Sequence, residues 1–170
     1  MLEQICPNRC AGRLEDISLD ELWAEGYRAI LLDLDNTITA WKSCEVPEAK
    51  AEWIRRAKER FGVCIVSNTI CGDRLRQIAA GFGIEQVARW WRGRKPSPQG
   101  LREAMARLSS TPEQTVMIGD QVLTDVWAGR RAGVHTILVT PISPVEFAGT
   151  KVTRFFERIA LWLMRRRKMI

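Results

Sequence analysis

The sequence of 170 residues predicts an α/β fold with a mainly parallel central sheet and helices on both faces. Short apolar runs alternate with amphipathic stretches, which is the pattern of repeated strand–helix–strand units. Two of the runs, "RAILLDLD" (28–35) and "GVCIVSN" (62–68), are apolar without alternation, as in strands covered on both faces. No internal repeat, long linker or low-complexity segment interrupts the pattern. We therefore expect one domain over residues 1–170.

The individual elements follow from their caps and their periodicity. Ser18-Leu-Asp-Glu21 is a capping box that opens a short helix, and Gly26 is placed to end it. Pro47 favours the start of the next helix. The predicted strands are 28–35, 62–68, 86–91, 115–120 and 135–140, and the further helices are 47–61, 73–83, 97–109 and 124–133. Most of the seven tryptophans fall on element faces, so we expect them in the core.

The net charge of +6 belongs to the C-terminal segment. Residues 150–170 contain seven basic residues and one acidic residue, so the rest of the chain is balanced. The number of cysteines is odd, at five, and no charged-then-apolar segment opens the chain. These features favour a cytoplasmic location.

The C-terminal segment 150–170 predicts an amphipathic helix. Its apolar residues at helical spacing are Val152, Phe155, Phe156, Ile159, Trp162 and Leu163. An aromatic apolar face followed by "RRRK" is typical of a helix lying on an anionic membrane surface. The alternative is a final helix that packs on the sheet, and the two interpretations are compatible.

Polar residues stand at the C-terminal ends of the predicted strands. Asp33 and Asp35 close the first strand, and Ser67 closes the second. Asp120 closes the strand "TVMIGD", and Asp125 follows five residues later. In an open α/β sheet, ligands bind in the crevice beyond these strand ends. We therefore expect the four carboxylates and the serine at one site.

Carboxylates that converge in a crevice need compensating positive charge. Lys95 in "RGRKPSP" is the basic residue best placed to supply it, and two prolines stiffen its loop. Hard oxygen ligands with room for water suit Mg²⁺. With a metal and a lysine neutralising a phosphate, one aspartate of the pair can attack phosphorus, and its neighbour can act as general acid and base.

These motifs carry a family resemblance. "DLDNT", Ser67, Lys95 and "GDQVLTD" resemble, in order, the four signature motifs of the haloacid dehalogenase (HAD) superfamily of phosphotransferases. The resemblance covers residues 28–140 and implies a three-layer Rossmann-like fold of about five strands in the order 3-2-1-4-5. The small size, Trp41, "SNT" and "KPSP" also resemble the YqeG-type branch, close to the phosphatidylglycerophosphate phosphatases.

The resemblance implies a catalytic role for three residues. Asp33 would be the nucleophile that forms an aspartyl-phosphate. Asp35 would be the general acid and base, which favours a phosphatase over a dehalogenase. Lys95 would clamp the nucleophile and the phosphate together.

The resemblance also implies substrate and metal ligands. Ser67 would hold a phosphoryl oxygen, assisted by the backbone of Asn68. Mg²⁺ would be held by Asp33, by the backbone carbonyl of Asp35 and by Asp120, and Asp125 would support it directly or through water.

The spacing leaves no room for the cap domain that many HAD enzymes insert. The residues between Asp35 and Ser67 are consumed by one helix and one strand, and the segment from Ser67 to Lys95 is similarly short. An uncovered site suits a phosphate presented by something large. We expect a phospholipid headgroup such as phosphatidylglycerophosphate, with peripheral contact to the inner face of the membrane through residues 150–170.

Two other interpretations remain open at this point. The chain could act on phosphorylated nucleic-acid ends and use its basic tail as an electrostatic arm. The balanced charge of the remaining chain argues against this. A non-catalytic binding protein with a vestigial site is disfavoured, because every signature residue is present.

Overall fold

A six-stranded, fully parallel sheet forms the centre of the computed structural model, which describes residues 2–69, 72–89, 91–143, 148–167 and 169. The order of the strands is β1-β6-β5-β2-β3-β4, and each neighbouring pair is parallel. The strands are β1 (Arg9–Ala11), β2 (Ala29–Leu32), β3 (Gly62–Ser67), β4 (Glu85–Ala88), β5 (Thr115–Gly119) and β6 (His135–Val139).

Helices cover both faces of this sheet and give three layers. They are α1 (Leu19–Ala24), α2 (Glu48–Arg60), α3 (Gly72–Phe82), α4 (Gln99–Arg107), α5 (Trp127–Ala132) and α6 (Ala148–Arg166). Helices α1 to α3 pack on the face that contains Ile30 and Leu32 of β2. Helices α4 and α5 pack on the opposite face, which contains Leu31. Alternate residues of β2 thus enter two separate cores, as expected for a strand buried on both sides.

The fold class and the order of the five expected strands are confirmed. The element ends differ from the predicted ones by at most four residues. The sheet gains a sixth strand, β1, which pairs with β6 at the edge. This strand has no sequence signal, because Arg9 and Cys10 give no apolar run and the three residues form a strand only through pairing with β6.

The predicted helix 124–133 divides into two parts. Val122–Val126 forms one π-helical turn, and α5 begins only at Trp127. In this turn the Gln121 carbonyl accepts the N–H groups of both Asp125 and Val126, at 2.9 and 3.2 Å. Such wide turns occur mostly at functional sites and leave no clear trace in hydrophobic periodicity.

Three short 3₁₀ segments complete the described elements: Leu2–Ile5, Leu14–Asp16 and Pro112–Gln114. At the start of α1, the capping box is present in part, because Ser18 Oγ accepts the Glu21 N–H at 3.2 Å. Between Asp35 and Ser67 the chain forms a loop, α2 and β3, so no cap domain is inserted there. Among the described residues, no helix combines the length and apolarity needed to cross a bilayer.

Helix α6 docks on the molecule through a face other than its aromatic one. Glu157, Ala160 and Met164 are buried, and the last two pack with Val122 and Val126. The aromatic stripe points outward instead. Its exposed members are Phe156 (56%), Ile159 (42%) and Trp162 (54%). The side chains of Val152 and Phe155 lie outside the described residues.

The tryptophan expectation is wrong for two residues. Trp53 is buried, and its Nε1 donates to the Ile17 carbonyl at 2.8 Å. Trp91 and Trp162 are largely exposed, at 83% and 54%. Trp90 lies outside the described residues. An exposed tryptophan is unfavourable in water unless its apolar ring contacts something else.

The buried carboxylate of Glu157 predicts a stability effect. Its Oε1 accepts the Leu123 N–H at 2.9 Å, so it satisfies a backbone donor of the π turn. We expect Glu157→Ala to lower the free energy of unfolding by about 1–3 kcal/mol, because it removes a charged acceptor from a buried donor. Urea denaturation measures this loss.

Arg158→Ala on the exposed side of the same helix turn is the matched control. It should change stability by less than about 0.5 kcal/mol. Equal stability of the Glu157→Ala and Arg158→Ala proteins would show that this hydrogen bond contributes nothing.

Candidate active site

Strand register brings the expected site residues together at the C-terminal ends of the strands. Leu32 of β2 is aligned with Ile65 of β3 and with Ile118 of β5. The Asp33 N–H continues the ladder by donating to the Ile118 carbonyl at 2.9 Å. Asp33, Ser67 and Asp120 therefore follow three adjacent strands, with β2 in the middle.

Lys95 lies at the centre of this group of residues. Its Nζ is 2.6 Å from Asp33 Oδ1 and 2.7 Å from Asp125 Oδ1, and it also donates to the Val66 carbonyl at 2.8 Å. The side chain is fully buried. Burial would lower the pKa of Lys95, but the Asp125 and Asp33 carboxylates outweigh it and raise that pKa above its ordinary value. Lys95 is therefore a permanent cation in this site.

Asn68 fixes the backbone of Lys95. Its Nδ2 donates to the Lys95 carbonyl at 2.9 Å, and its Oδ1 accepts the Lys95 N–H at 2.8 Å. From the sequence we expected only the backbone of Asn68 to contribute to the site, by helping Ser67 to bind a phosphoryl oxygen. The structure gives its side chain a second task, since the lysine loop is anchored to the end of β3 by two reciprocal hydrogen bonds.

Asp33 is a strongly perturbed carboxyl group. Burial raises its pKa to about 7, and the charges of Asp125 and Asp35 act in the same direction, whereas Lys95 lowers it. A carboxyl group is held in such a position only where a compensating charge or a chemical role retains it.

Three carboxylates form a cluster that fits a divalent cation. Asp33, Asp120 and Asp125 are buried, and one oxygen of each lies within 4.8 Å of the others. Thr37 Oγ1 donates a long hydrogen bond of 3.4 Å to Asp120 Oδ1. Lys95 can neutralise one of the three negative charges, so a divalent ion with oxygen ligands would neutralise the remainder.

Asp125 reaches the cluster from the π turn because Gly119 leaves room for it. A Cβ at Gly119 would lie well inside van der Waals contact with Asp125 Cγ and Oδ2. Asp125 Oδ2 also accepts the Gln121 N–H at 3.0 Å, which closes the turn. The glycine, the turn and the carboxylate therefore form one unit.

Asp35 is not one of the clustered carboxylates. Its side chain is partly exposed and forms an ion pair with Arg74, a residue of α3 that the sequence analysis missed. An arginine on an amphipathic helix has no distinguishing sequence signal, so only the tertiary structure could reveal it. Ser67 is buried at the end of β3, and its carbonyl accepts the Arg89 N–H at 2.9 Å. The binding role of its hydroxyl stays a prediction.

Cavities alone would not have located this site. Two open cavities, of about 280 and 340 Å³, lie at the opposite ends of the strands. Most of their lining residues lie at the starts of the strands or just before them, and none of the clustered carboxylates lines either cavity. The charged cluster, rather than a cavity, identifies the chemistry.

Comparisons with known proteins agree with the geometry. A family model described as HAD-hydrolase-like matches residues 93–141. The chain is 32% identical over 162 residues to the probable phosphatase YqeG of Bacillus subtilis strain 168, covering 95% of this chain and 92% of that protein. It is 27% identical over 172 residues to phosphatidylglycerophosphate phosphatase 1, chloroplastic/mitochondrial, of Arabidopsis thaliana. That match covers 95% of this chain and about half (48%) of the Arabidopsis protein.

Solved structures share the fold at low sequence identity. NagD from Escherichia coli K-12 superposes with a TM-score of 0.55 at 14% identity, over 73% of this chain and 91% of that one. The 3-deoxy-D-manno-octulosonate 8-phosphate phosphatase from Yersinia pestis gives a TM-score of 0.52 at 18% identity, over 72% and 69%.

Gly119→Ala tests the arrangement of the π turn. The new methyl group has to push Asp125 away from Lys95, and a displacement of about 1 Å costs on the order of 10²-fold in rate. We therefore expect hydrolysis of a phosphate monoester to fall by roughly that factor while the protein stays folded by circular dichroism.

Gly81→Ala is the matched control, because a Cβ at this helical position meets nothing within 4 Å. It should keep full activity. A fully active Gly119→Ala protein would mean that the position of Asp125 is unimportant.

Proposed function

This chain belongs to the HAD phosphatases of the YqeG family, and from this premise we propose that it is a Mg²⁺-dependent phosphomonoester hydrolase that works through an aspartyl-phosphate. Its preferred substrate is a phospholipid headgroup such as phosphatidylglycerophosphate. The observation that carries the proposal is the buried Lys95 ammonium between Asp33 and Asp125, beside Asp120.

Asp33 attacks phosphorus in the first step. Lys95 engages Oδ1, which leaves Oδ2 to form the new bond to phosphorus. The bond between phosphorus and the leaving alcohol breaks, and Asp35 donates a proton to the alcohol oxygen. The product is a free alcohol and an aspartyl-phosphate on Asp33.

Water completes the reaction in the second step. Asp35, now ionised, accepts a proton from the water that attacks the same phosphorus. The bond between phosphorus and Asp33 breaks, which releases phosphate and restores the carboxylate. Ser67 Oγ and the Asn68 N–H donate to the phosphoryl oxygens in both steps, and Lys95 offsets their negative charge.

Mg²⁺ would be held by the carboxylates of Asp33 and Asp120 and the carbonyl of Asp35, with Asp125 supporting it directly or through water. When bound, it supplies positive charge that favours ionised Asp33 and the transferring phosphoryl group. The fit rests on the buried acidic cluster of the chain itself.

Two exposed surfaces support a lipid substrate. The outer face of α6 consists of Phe156, Ile159 and Trp162, with Arg158 exposed beside them. Trp91 is exposed in the loop that carries Lys95. Aromatic side chains next to basic ones favour the interface of an anionic bilayer, and Trp91 stands only four residues before Lys95 of the site.

Asp33→Asn tests the chemistry. Because an amide does not attack phosphorus at a useful rate, phosphate release from phosphatidylglycerophosphate in micelles should fall by at least about 10³-fold. Asp20→Asn, an equal charge change at an exposed residue, should leave the rate unchanged. Robust release by the Asp33→Asn protein would exclude Asp33 as the nucleophile.

Trp162→Glu with Ile159→Glu tests the surface. In sedimentation with vesicles of phosphatidylglycerol, we expect the affinity of this double variant to fall by about tenfold or more, since it replaces apolar anchors with like charge. Hydrolysis of a water-soluble aryl phosphate should be unaffected.

Arg55→Glu, an exposed charge reversal on α2, is the control and should bind vesicles like the wild type. Vesicle binding that survives in the double variant would contradict the lipid surface. If the wild type instead binds 5′-phosphorylated oligonucleotides and ignores the vesicles, the nucleic-acid-end interpretation is favoured.

A further inference from the structure

The two aspartates of "DLDNT" have different cationic partners. Asp33 is bound by Lys95, inside the buried cluster. Asp35 is bound by Arg74, whose Nη2 pairs with Asp35 Oδ1. Arg74 stands in the first turn of α3, and its side chain is about nine-tenths buried, so the pair is held by the protein rather than formed at a free surface.

Arg74 also holds the loop that follows Asp35. Its Nη1 donates to the Ser43 carbonyl at 3.0 Å. The Thr39 hydroxyl lies 3.1 Å from the same carbonyl and donates its proton to the closer Glu45 carbonyl at 2.7 Å. Asp35 and Thr39 are further joined by a backbone bridge. One guanidinium thus ties the carboxylate to the loop that starts beside it.

The shape of the arginine side chain suits this task. The guanidinium is planar and always protonated, and its donors point in fixed directions. It can therefore orient a carboxylate through N–H donors of fixed direction. Because the pair engages Oδ1, Oδ2 of Asp35 is the oxygen that can carry a proton.

We infer that Arg74 is a positioning residue that aims Asp35 at the oxygen of the leaving group. This inference rests on the proposed function, in which Asp35 is the general acid. Arg74 itself contacts no reacting atom. Its contribution is to fix the direction of the acid at the C-terminal ends of the strands, where the described part of the chain forms no cap domain.

The inference predicts a dependence on the leaving group. An alkyl phosphate needs a proton on its departing oxygen, whereas p-nitrophenolate departs well without one. The parameter to compare is kcat/KM, because it reports the steps up to the departure of the alcohol and excludes the later attack of water. General disorder of the site would lower both values equally.

The experiment compares Arg74→Gln, Arg74→Lys and Asp35→Asn on glycerol phosphate and p-nitrophenyl phosphate. For Arg74→Gln we expect kcat/KM to fall by about 10²-fold on the alkyl ester and less than about threefold on the aryl ester. Arg74→Lys should recover part of the loss, because it keeps the charge. Arg76→Gln, an exposed arginine on the same helix, is the matched control and should change neither value.

The outcomes distinguish the role of Arg74 from the assignment of Asp35 as the general acid. If Asp35→Asn shows the leaving-group selectivity and Arg74→Gln does not, the role of Arg74 is wrong and the mechanism stands. If Asp35→Asn itself shows no selectivity, the assignment of the general acid fails and the inference fails with it. Equal loss on both substrates in Arg74→Gln would show a purely structural role.

Discussion

A buried ammonium between two carboxylates is the interaction on which the functional edge of this molecule depends. Removing Lys95, Asp33 and Asp125 from water costs several kcal/mol per charge, and the cost is offset only if the geometry is accurate. The surroundings supply that accuracy. Asn68 fixes the lysine backbone, the Val66 carbonyl takes a further hydrogen bond of the ammonium, and Gly119 lets the Asp125 carboxylate approach. Strands, loop and π turn are therefore held in register by one cluster of charges.

Dividing the carboxylates between two cations explains how a chain tolerates acidic residues two positions apart at the end of a buried strand. Asp33 belongs to the dry side, where burial raises its pKa, and Asp35 belongs to the wetter side with Arg74. Neighbouring acids in different environments can take different chemical tasks, one as a nucleophile and the other in proton transfer. Residues two apart share one face of an extended strand, so the division arises because β2 ends at Leu32 and the backbone has left the strand before Asp35.

Helix α6 connects the surface to the same cluster. Its inner face places Glu157 on the Leu123 N–H, within the turn that carries Asp125, and its outer face is aromatic and basic. A ligand that binds the outer face of α6 would contact the helix whose Glu157 accepts the Leu123 N–H. Leu123 lies two residues before Asp125 of the acidic cluster. The sequence pattern located the amphipathic helix and its aromatic face, but it gave no sign that Glu157 is buried and accepts the N–H of Leu123, a residue distant in sequence.

The sequence by itself determined the α/β class, the five main strands and the residues at their ends, because burial on both faces leaves long apolar runs and because the motif residues have fixed types. It also located Lys95, since a carboxylate cluster requires a cation. Only the tertiary structure decided the edge strand β1, the π turn, the side-chain role of Asn68, and the Arg74 and Glu157 contacts. Each of these features joins segments that are distant along the chain or depends on backbone geometry. Such features produce no hydrophobic periodicity that a single sequence would show. Ordinary arginines, asparagines and glutamates acquire these roles only through the neighbours that the fold gives them.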